Sequence, residues 1–436
     1  MSTDFEWQVD DDESDGPWQP RGLQPRRAPR PPRAPRFQRL RRLPRRVWLA
    51  VAMAIVAAIG IPAAWIALRL HQINDEQRAA VLNVARLEDR LVAEGDLDAF
   101  VALQDPRFPG WQDWQRGSHA ALTAVVTGTR EYRLTWGRTL LNQYDPAAPP
   151  SYGAVRLDGE RAELVVTRHY RASGRQGAPA AEFDLSVTQY YRFESGGWLR
   201  TAPPDTVYAR MRRGPGTQLR LLYPEVDHAL VEPLTSNLQG IATQACQDLG
   251  CPRGQPALIL SAIPDELVHG PAGQSGDVEA LYLPAPALLG VPGNTAGTDA
   301  LVRLYAIRLV EAIAAQAIAA RGETVEPWLA WELARLGLEA PLDANRLRDT
   351  ARQALSGGRM RVLFSPEKRT EGVWLMLDFL AGPGGRSPLR TLLADENAAA
   401  LSDQLLQRLR ERNREWWDYL GEVAALDARR PPGAGA

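Results

Sequence analysis

Few residues of this 436-residue chain are spaced so that they could do chemistry together. The five histidines are His71, His119, His169, His228 and His269, and no two of them stand four residues apart. A zinc hydrolase of the His-Glu-x-x-His type needs that spacing: positions i and i+4 of a helix present two ring nitrogens to one metal, and the glutamate activates the bound water. GQSGD at 273–277 misses the nucleophile-elbow pattern by one position, and no glycine-rich loop runs into Lys-Ser or Lys-Thr. Asp227 beside His228 is an isolated pair and reads as a helix start. Cys246 and Cys251 are the two cysteines, and their spacing does not suit a Cys-x-x-Cys zinc knuckle. Outside the cytoplasm such a pair favours a disulfide, with free thiols and zinc as the alternatives.

The elements that must position these residues begin at a membrane. Residues 1–20 carry seven acids and no base, residues 21–46 carry eleven arginines and no acid, and the rest is mildly acidic. Between them Val47–Leu68 runs for 22 residues without a charge, enough at about 1.5 Å per residue to span a core of about 30 Å. A run of that length ending in Arg69 reads as an uncleaved anchor, and the arginines before it place the N-terminus in the cytoplasm. The expectation is a single-pass protein of the cytoplasmic membrane with the bulk of its chain outside. Residues 1–46 read as a disordered cytoplasmic tail, acidic over 1–20 and arginine- and proline-rich over 21–46. No folded reader accompanies the arginines, so lipid contact is expected and nucleic-acid binding is not.

Beyond the anchor, Asn74 and Gln77 form a capping-box pattern, and Val81, Val84, Leu87, Leu91 and Val92 keep one apolar face until Gly95. A short helix capped by Asp96 follows. Two alternating stretches then predict antiparallel strands, one turning at Asp158-Gly159 and one reversing at Gly196-Gly197 before Trp198. Helices first and a curved antiparallel sheet last, ending in GGWLRT, resembles the nuclear-transport-factor-like (SnoaL-like) cone fold over about residues 72–212. That resemblance implies a pocket between helices and sheet, with Trp111, Trp114, His119 and Tyr190 as candidate lining.

After RRGPGT at 212–217, read as a linker, the pattern predicts a strand (219–223), a helix (about 225–248), strands (257–261 and 280–283) and a helix over about 299–320. A helix over 327–337, PWLAWELARLG, and a helical C-terminal part closing on REWWDYL complete it. LPAPALLG, PWLAWELARLG and the closing Trp416, Trp417, Tyr419 and Leu420 in this order resemble the peptidase-MA-like branch of the gluzincins over about residues 217–430. Residues 431–436 read as a disordered C-terminus.

The chemistry that this resemblance implies is missing. The helix that should hold His-Glu-x-x-His reads LVRLYAIRLVEAIAAQAIAA. Trp331 stands where the third ligand belongs, and Glu332 is one residue, or about 100° of helix, away from that place. The resemblance implies that Trp331 fills the vacated space against Tyr305, Arg308 or Leu309. The expected fold class is therefore α+β: one transmembrane helix, a cone-shaped α+β domain, and a mostly helical α/β domain of degenerate gluzincin type. The expected role is extracytoplasmic binding or scaffolding through a non-catalytic pseudo-metallopeptidase domain, with no cofactor and an unidentified protein or small-molecule ligand. The rivals are an envelope hydrolase with its site in the cone pocket and an envelope regulator acting through residues 1–20.

Overall fold

The computed structural model describes residues 45–126, 145–172, 181–250, 256–263, 266–267, 280–319, 321–339, 341–357, 360, 363, 365, 367–382, 387–393 and 400–425. The tail before residue 45, Cys251, GQSGD and residues 431–436 lie outside them. The chain divides into two units, Met1–Leu70 and His71–Ala436.

In the first unit the described residues belong to α1 (Arg45–Glu94), the one described helix long and apolar enough to cross a membrane. Its large apolar side chains from Trp48 to Leu70 are exposed, as a lipid-facing segment requires.

The expected helix start at Asn74 does not form. The residues before Asn74 are already helical, so no free backbone N–H groups await a cap there. Asp75 instead pairs with Arg78 at 3.1 Å and lies 3.5 Å from His71, both at helical spacing. Gln77 accepts a hydrogen bond from the Trp198 indole N–H at 2.7 Å. Leu87 is exposed and leaves the expected apolar face; Glu88 is buried in that stripe, beside Val81, Ala85 and Val92. A carboxylate in such a place needs partners, and it has Gln104 at 2.7 Å and Arg200 at 3.2 Å. After Gly95, the Asp96 side chain caps α2 (Leu97–Ala102) by accepting from the Ala99 N–H. A helix not expected from the sequence, α3 (Pro109–Val126), comes next.

The first sheet joins β1 (Asp145–Asp158), β2 (Arg161–Ala172), β3 (Ala181–Glu194) and β4 (Gly197–Thr201) in that order, all antiparallel. Asp158 pairs with Arg161, so the first hairpin turns on Gly159-Glu160. Glu194 pairs with Gly197, which puts the second reversal on Ser195-Gly196, one residue before the expected place; both have positive φ, the signature of a tight two-residue hairpin turn.

The stretch expected to be a linker is partly strand. Arg212 and Arg213 lie in β5 (Met211–Arg213), antiparallel to β6 (Arg220–Pro224). The turn between them is held by the Gln239 side chain, which accepts from the Leu219 N–H at 2.9 Å and donates to its carbonyl at 2.6 Å. A parallel crossover follows: β6, then α4 (His228–Leu249), then β7 (Ala257–Ser261), with β8 (Ala280–Pro284) parallel on the far side of β7. α4 buries Val231, Leu234, Leu238, Ala242, Ala245 and Leu249, a stripe of helical period.

Next come α5 (Pro286–Leu289), β9 (Val291–Pro292) and α6 (Thr295–Ala319). β9 leaves the second sheet and pairs with Leu185 and Ser186 of β3, along the edge where β4 pairs further on. α6 is apolar around nearly its whole circumference and buried to match, from Leu301 through Ile318. The remaining described helices are α7 (Glu326–Arg335), α8 (Ala344–Gly357), α9 (Arg369–Ala381), α10 (Leu389–Leu393), α11 (Leu401–Glu411) and α12 (Asn413–Ala425). One core cluster runs from Tyr170, Phe183 and Leu185 of the first sheet through the second sheet and α6 to Trp416 of α12. A second lies between α1 and the first sheet, around Val81, Leu164, Tyr191 and Trp198.

Candidate functional site

Two places collect the residues singled out by sequence. The first surrounds α7. This helix has Pro327 in its first turn and ends at Gly337, whose positive φ lets the Leu338 N–H return to the Leu333 carbonyl at 2.8 Å and the Gly337 N–H to Ala334 at 2.9 Å. Trp328, Leu329, Trp331, Glu332 and Leu333 are all buried. Trp331 is 4% exposed, inside the main core together with Tyr305 and Leu309. The Tyr305 hydroxyl donates to the Pro284 carbonyl at 3.0 Å, and Arg308 pairs along its own helix with Glu311.

Glu332 has no solvent exposure and is held in a lock. Arg335, one turn later, reaches its Oε1 at 2.5 Å and Oε2 at 3.3 Å, and the Ser387 hydroxyl donates to Oε2 at 3.2 Å. The same guanidinium pairs with Asp248 at the end of α4 and lies 6.0 Å from the Trp331 ring centre. Burial pushes the Glu332 and Asp248 carboxyls up, with Arg335 working against it in both. A carboxylate so engaged has no free lone pair in reach of solvent, so it offers neither a metal ligand nor a base. Cys246, two residues before Asp248, is disulfide-bonded.

The second place is a cleft between α3, β3, β4 and α5. Trp111, Trp114 and Gln115 occupy one face of α3 at i, i+3 and i+4, and meet Val187 and Gln189 of β3, Arg200 of β4 and Leu288 of α5. Tyr190 also lines it; His119 does not. The His119 ring turns the other way, 5.0 Å from the Phe100 ring and 3.4 Å from the Leu91 carbonyl, because position 119 sits on the side of α3 that faces α1 and α2. Three of the four expected lining residues are thus brought together. Sequence reasoning missed Gln115, Gln189, Arg200 and Leu288; the helical spacing of Gln115 from Trp111 was the one signal available.

The cleft wall is a network of paired polar groups. The Trp111 N–H donates to Gln104 at 3.2 Å, Gln104 donates to Glu88, and Glu88 holds Arg200, whose guanidinium carbon lies 5.7 Å from the Trp111 ring centre. Behind it Asp105 accepts from Arg192 at 2.9 Å, from Arg107 and from the Thr201 hydroxyl at 3.0 Å. Burial alone would raise the Asp105 carboxyl, but these donors outweigh it and hold it far below the usual range. Against this satisfied background Gln115 is fully buried with neither amide atom partnered, and Arg200 Nε also lacks a partner. The cleft encloses about 290 Å³, its open mouth included. Its interior free space is about 10 Å³, roughly one water.

Asp227 stands next to this cleft. It occupies the N-cap position of α4 but makes no cap bond; its buried carboxylate accepts instead from the Ala287 N–H at 3.4 Å, beside Leu288. Burial pushes its carboxyl up to about 6. Burial also raises the Tyr190 and Tyr305 hydroxyls, with Glu163 and Asp227 adding to the first and Asp227 to the second.

No protein-family model, curated protein or solved structure matches this chain.

Among the described residues, no three His, Cys, Asp or Glu side chains group closely enough to hold a metal ion.

Proposed function

We propose that this chain is a single-pass membrane protein with its N-terminus in the cytoplasm, and that its extracytoplasmic part binds or scaffolds rather than cleaving peptides. Residues 72–212 are read as a cone-type domain and residues 217–430 as a gluzincin-type domain without its catalytic centre. The observation that carries this reading is the lock on α7. Trp331 is buried in the core at the position that the gluzincin reading assigns to a ligand, and Glu332 is tied to Arg335 and Ser387. Helices laid on an antiparallel sheet, followed by parallel strands and helices, support the two-part assignment. The arginines before Val47 support the orientation.

The test is zinc content and peptide cleavage by the purified full chain in detergent, with and without chelator. The expected result is far less than one zinc per chain and no chelator-sensitive cleavage. One zinc per chain together with chelator-sensitive cleavage refutes the proposal.

A further inference from the structure

We propose that α5 and β9 form a strap that is the movable wall of the cleft beside α3, and that the strap loosens when the Asp227 carboxyl is ionised. The proposal goes beyond the α7 lock and does not rest on it, since it concerns how the cleft opens and not whether the chain cleaves peptides.

The segment is pinned at its ends and thinly held between them. At one end the Ala285 N–H donates to the Ser261 carbonyl at 2.8 Å, and at the other the Asn294 side chain accepts from the Gly297 N–H at 2.9 Å. Between these points α5 is a single turn and β9 has two residues, one of them Pro292, which has no N–H to give to β3. Leu288 lines the cleft, Val291 is exposed, and Leu289 is the side chain that opening must lift from the core. A segment with so few backbone bonds to its surroundings opens before the rest of the fold. The cleft interior has room for about one water, so any larger occupant requires a wall to move.

Asp227 meets the middle of this segment. Its carboxylate, 4% exposed, accepts from the Ala287 N–H at 3.4 Å, and among the described residues no cation pairs with it. Facing it are the hydroxyls of Tyr190 on β3 and Tyr305 on α6, both raised and so neutral; α5 brings no titratable group. Glu225 and His228, near it along the chain, pair elsewhere, the first with Arg212 and the second with Tyr223 and Glu232. An anion at this place has burial against it and one long bond for it, so it gains by reaching water. Lifting the strap breaks the Ala287 bond and uncovers the carboxylate. While the carboxyl keeps its proton that gain is absent, so the closed strap is the low-pH state. The closed value of about 6 lies above an ordinary 3.8, and the closed state loses ground as pH rises toward 6.

The test is hydrogen–deuterium exchange of the full chain in detergent at pH 5 and pH 7.5, each rate divided by the unprotected rate at that pH. The amides of residues 285–294 should be at least about tenfold less protected than those in the buried middle of α6, which open only with the whole unit. Their corrected rates should rise by about tenfold from pH 5 to pH 7.5, as a carboxyl moving between 3.8 and about 6 requires. Asp227→Asn, which leaves His228 in place, should bring the two corrected rates within about twofold of each other. Strap amides as protected as those of α6, corrected rates equal at the two pH values, or the same rise in Asp227→Asn overturns the proposal. The first two outcomes are read on the unsubstituted chain, so they decide the matter even where the variant folds poorly. Zinc-dependent cleavage would sink the proposed function without touching the strap.

Discussion

Replacing Asp227 by asparagine isolates the effect of one buried carboxylate on the pH dependence of folding. Asp227 is 4% exposed, and its single hydrogen bond is a long one, from the Ala287 N–H at 3.4 Å. Burial lifts its carboxyl from 3.8 to about 6. At about 1.4 kcal/mol per pH unit that rise corresponds to about 3 kcal/mol. Because the folded-state value lies above the unfolded one, the protonated form suits the fold. Stability from this group is full below pH 3.8 and is lost as pH rises through about 6. Asparagine keeps the shape and removes the titration, at the cost of one buried amide that must find an acceptor. Urea unfolding of both full-length proteins in detergent, followed by tryptophan fluorescence from pH 4 to pH 7.5, gives the stability difference at each pH. That difference should move in favour of the variant by about 2.5 kcal/mol across the window, most of it between about pH 4 and pH 6. Glu332 and Asp248 also have raised carboxyls and Asp105 a lowered one, but they are common to both proteins and cancel in the comparison. A difference constant to within about 0.5 kcal/mol over the whole range would refute the reasoning.

Trp331→Ala should cost about 3–5 kcal/mol in the same unfolding assay, as for other large side chains lost from a core, and a loss below about 1 kcal/mol would show that the site collapses around it. Arg335→Leu leaves Glu332 and Asp248 buried without their counter-ion and should cost about 3–5 kcal/mol at pH 7.5. Since both carboxyls are already raised, they take up protons on acidification, so that cost should shrink toward pH 5; a cost independent of pH would show that Arg335 acts through packing alone.

Periodic segments were the legible part of this chain. β7 falls on its expected residues, 257–261, and α4 and α6 lie close to theirs, because an apolar stripe at period 3.6 or a short apolar run leaves few alternatives. The misreadings come from the places where a polar residue does the work of an apolar one or context overrides a local signal. Glu88 sits in the α1 stripe and Leu87 does not, since Gln104 and Arg200, close only in the folded chain, make the carboxylate welcome there. Asn74 has the right residues for a cap, but the residues before it are already helical, which overrides it. At the cleft, aromatic residues drew the sequence reading to Trp111, Trp114, His119 and Tyr190. Gln115 shares the Trp111 face at helical spacing, but without an expected helix over α3 that spacing could not be read.

The short strand β9 has a consequence for how the molecule is assembled. It pairs with Leu185 and Ser186 of β3, and Gly290 just before it packs so close that an added Cβ would stand 2.9 Å from Leu185 Cβ. As a growing chain leaves the ribosome, β3 is complete about a hundred residues before its neighbour β9 exists, so that stretch of its edge has to wait with its hydrogen bonds unmade. Such a long-range pairing slows folding and leaves an adhesive edge open in the interval. Phe183 and Leu185 likewise belong to the core cluster that α6 helps to build, so the first sheet cannot finish its apolar face alone. The unit His71–Ala436 is therefore expected to fold as one late, cooperative event rather than as two beads in sequence.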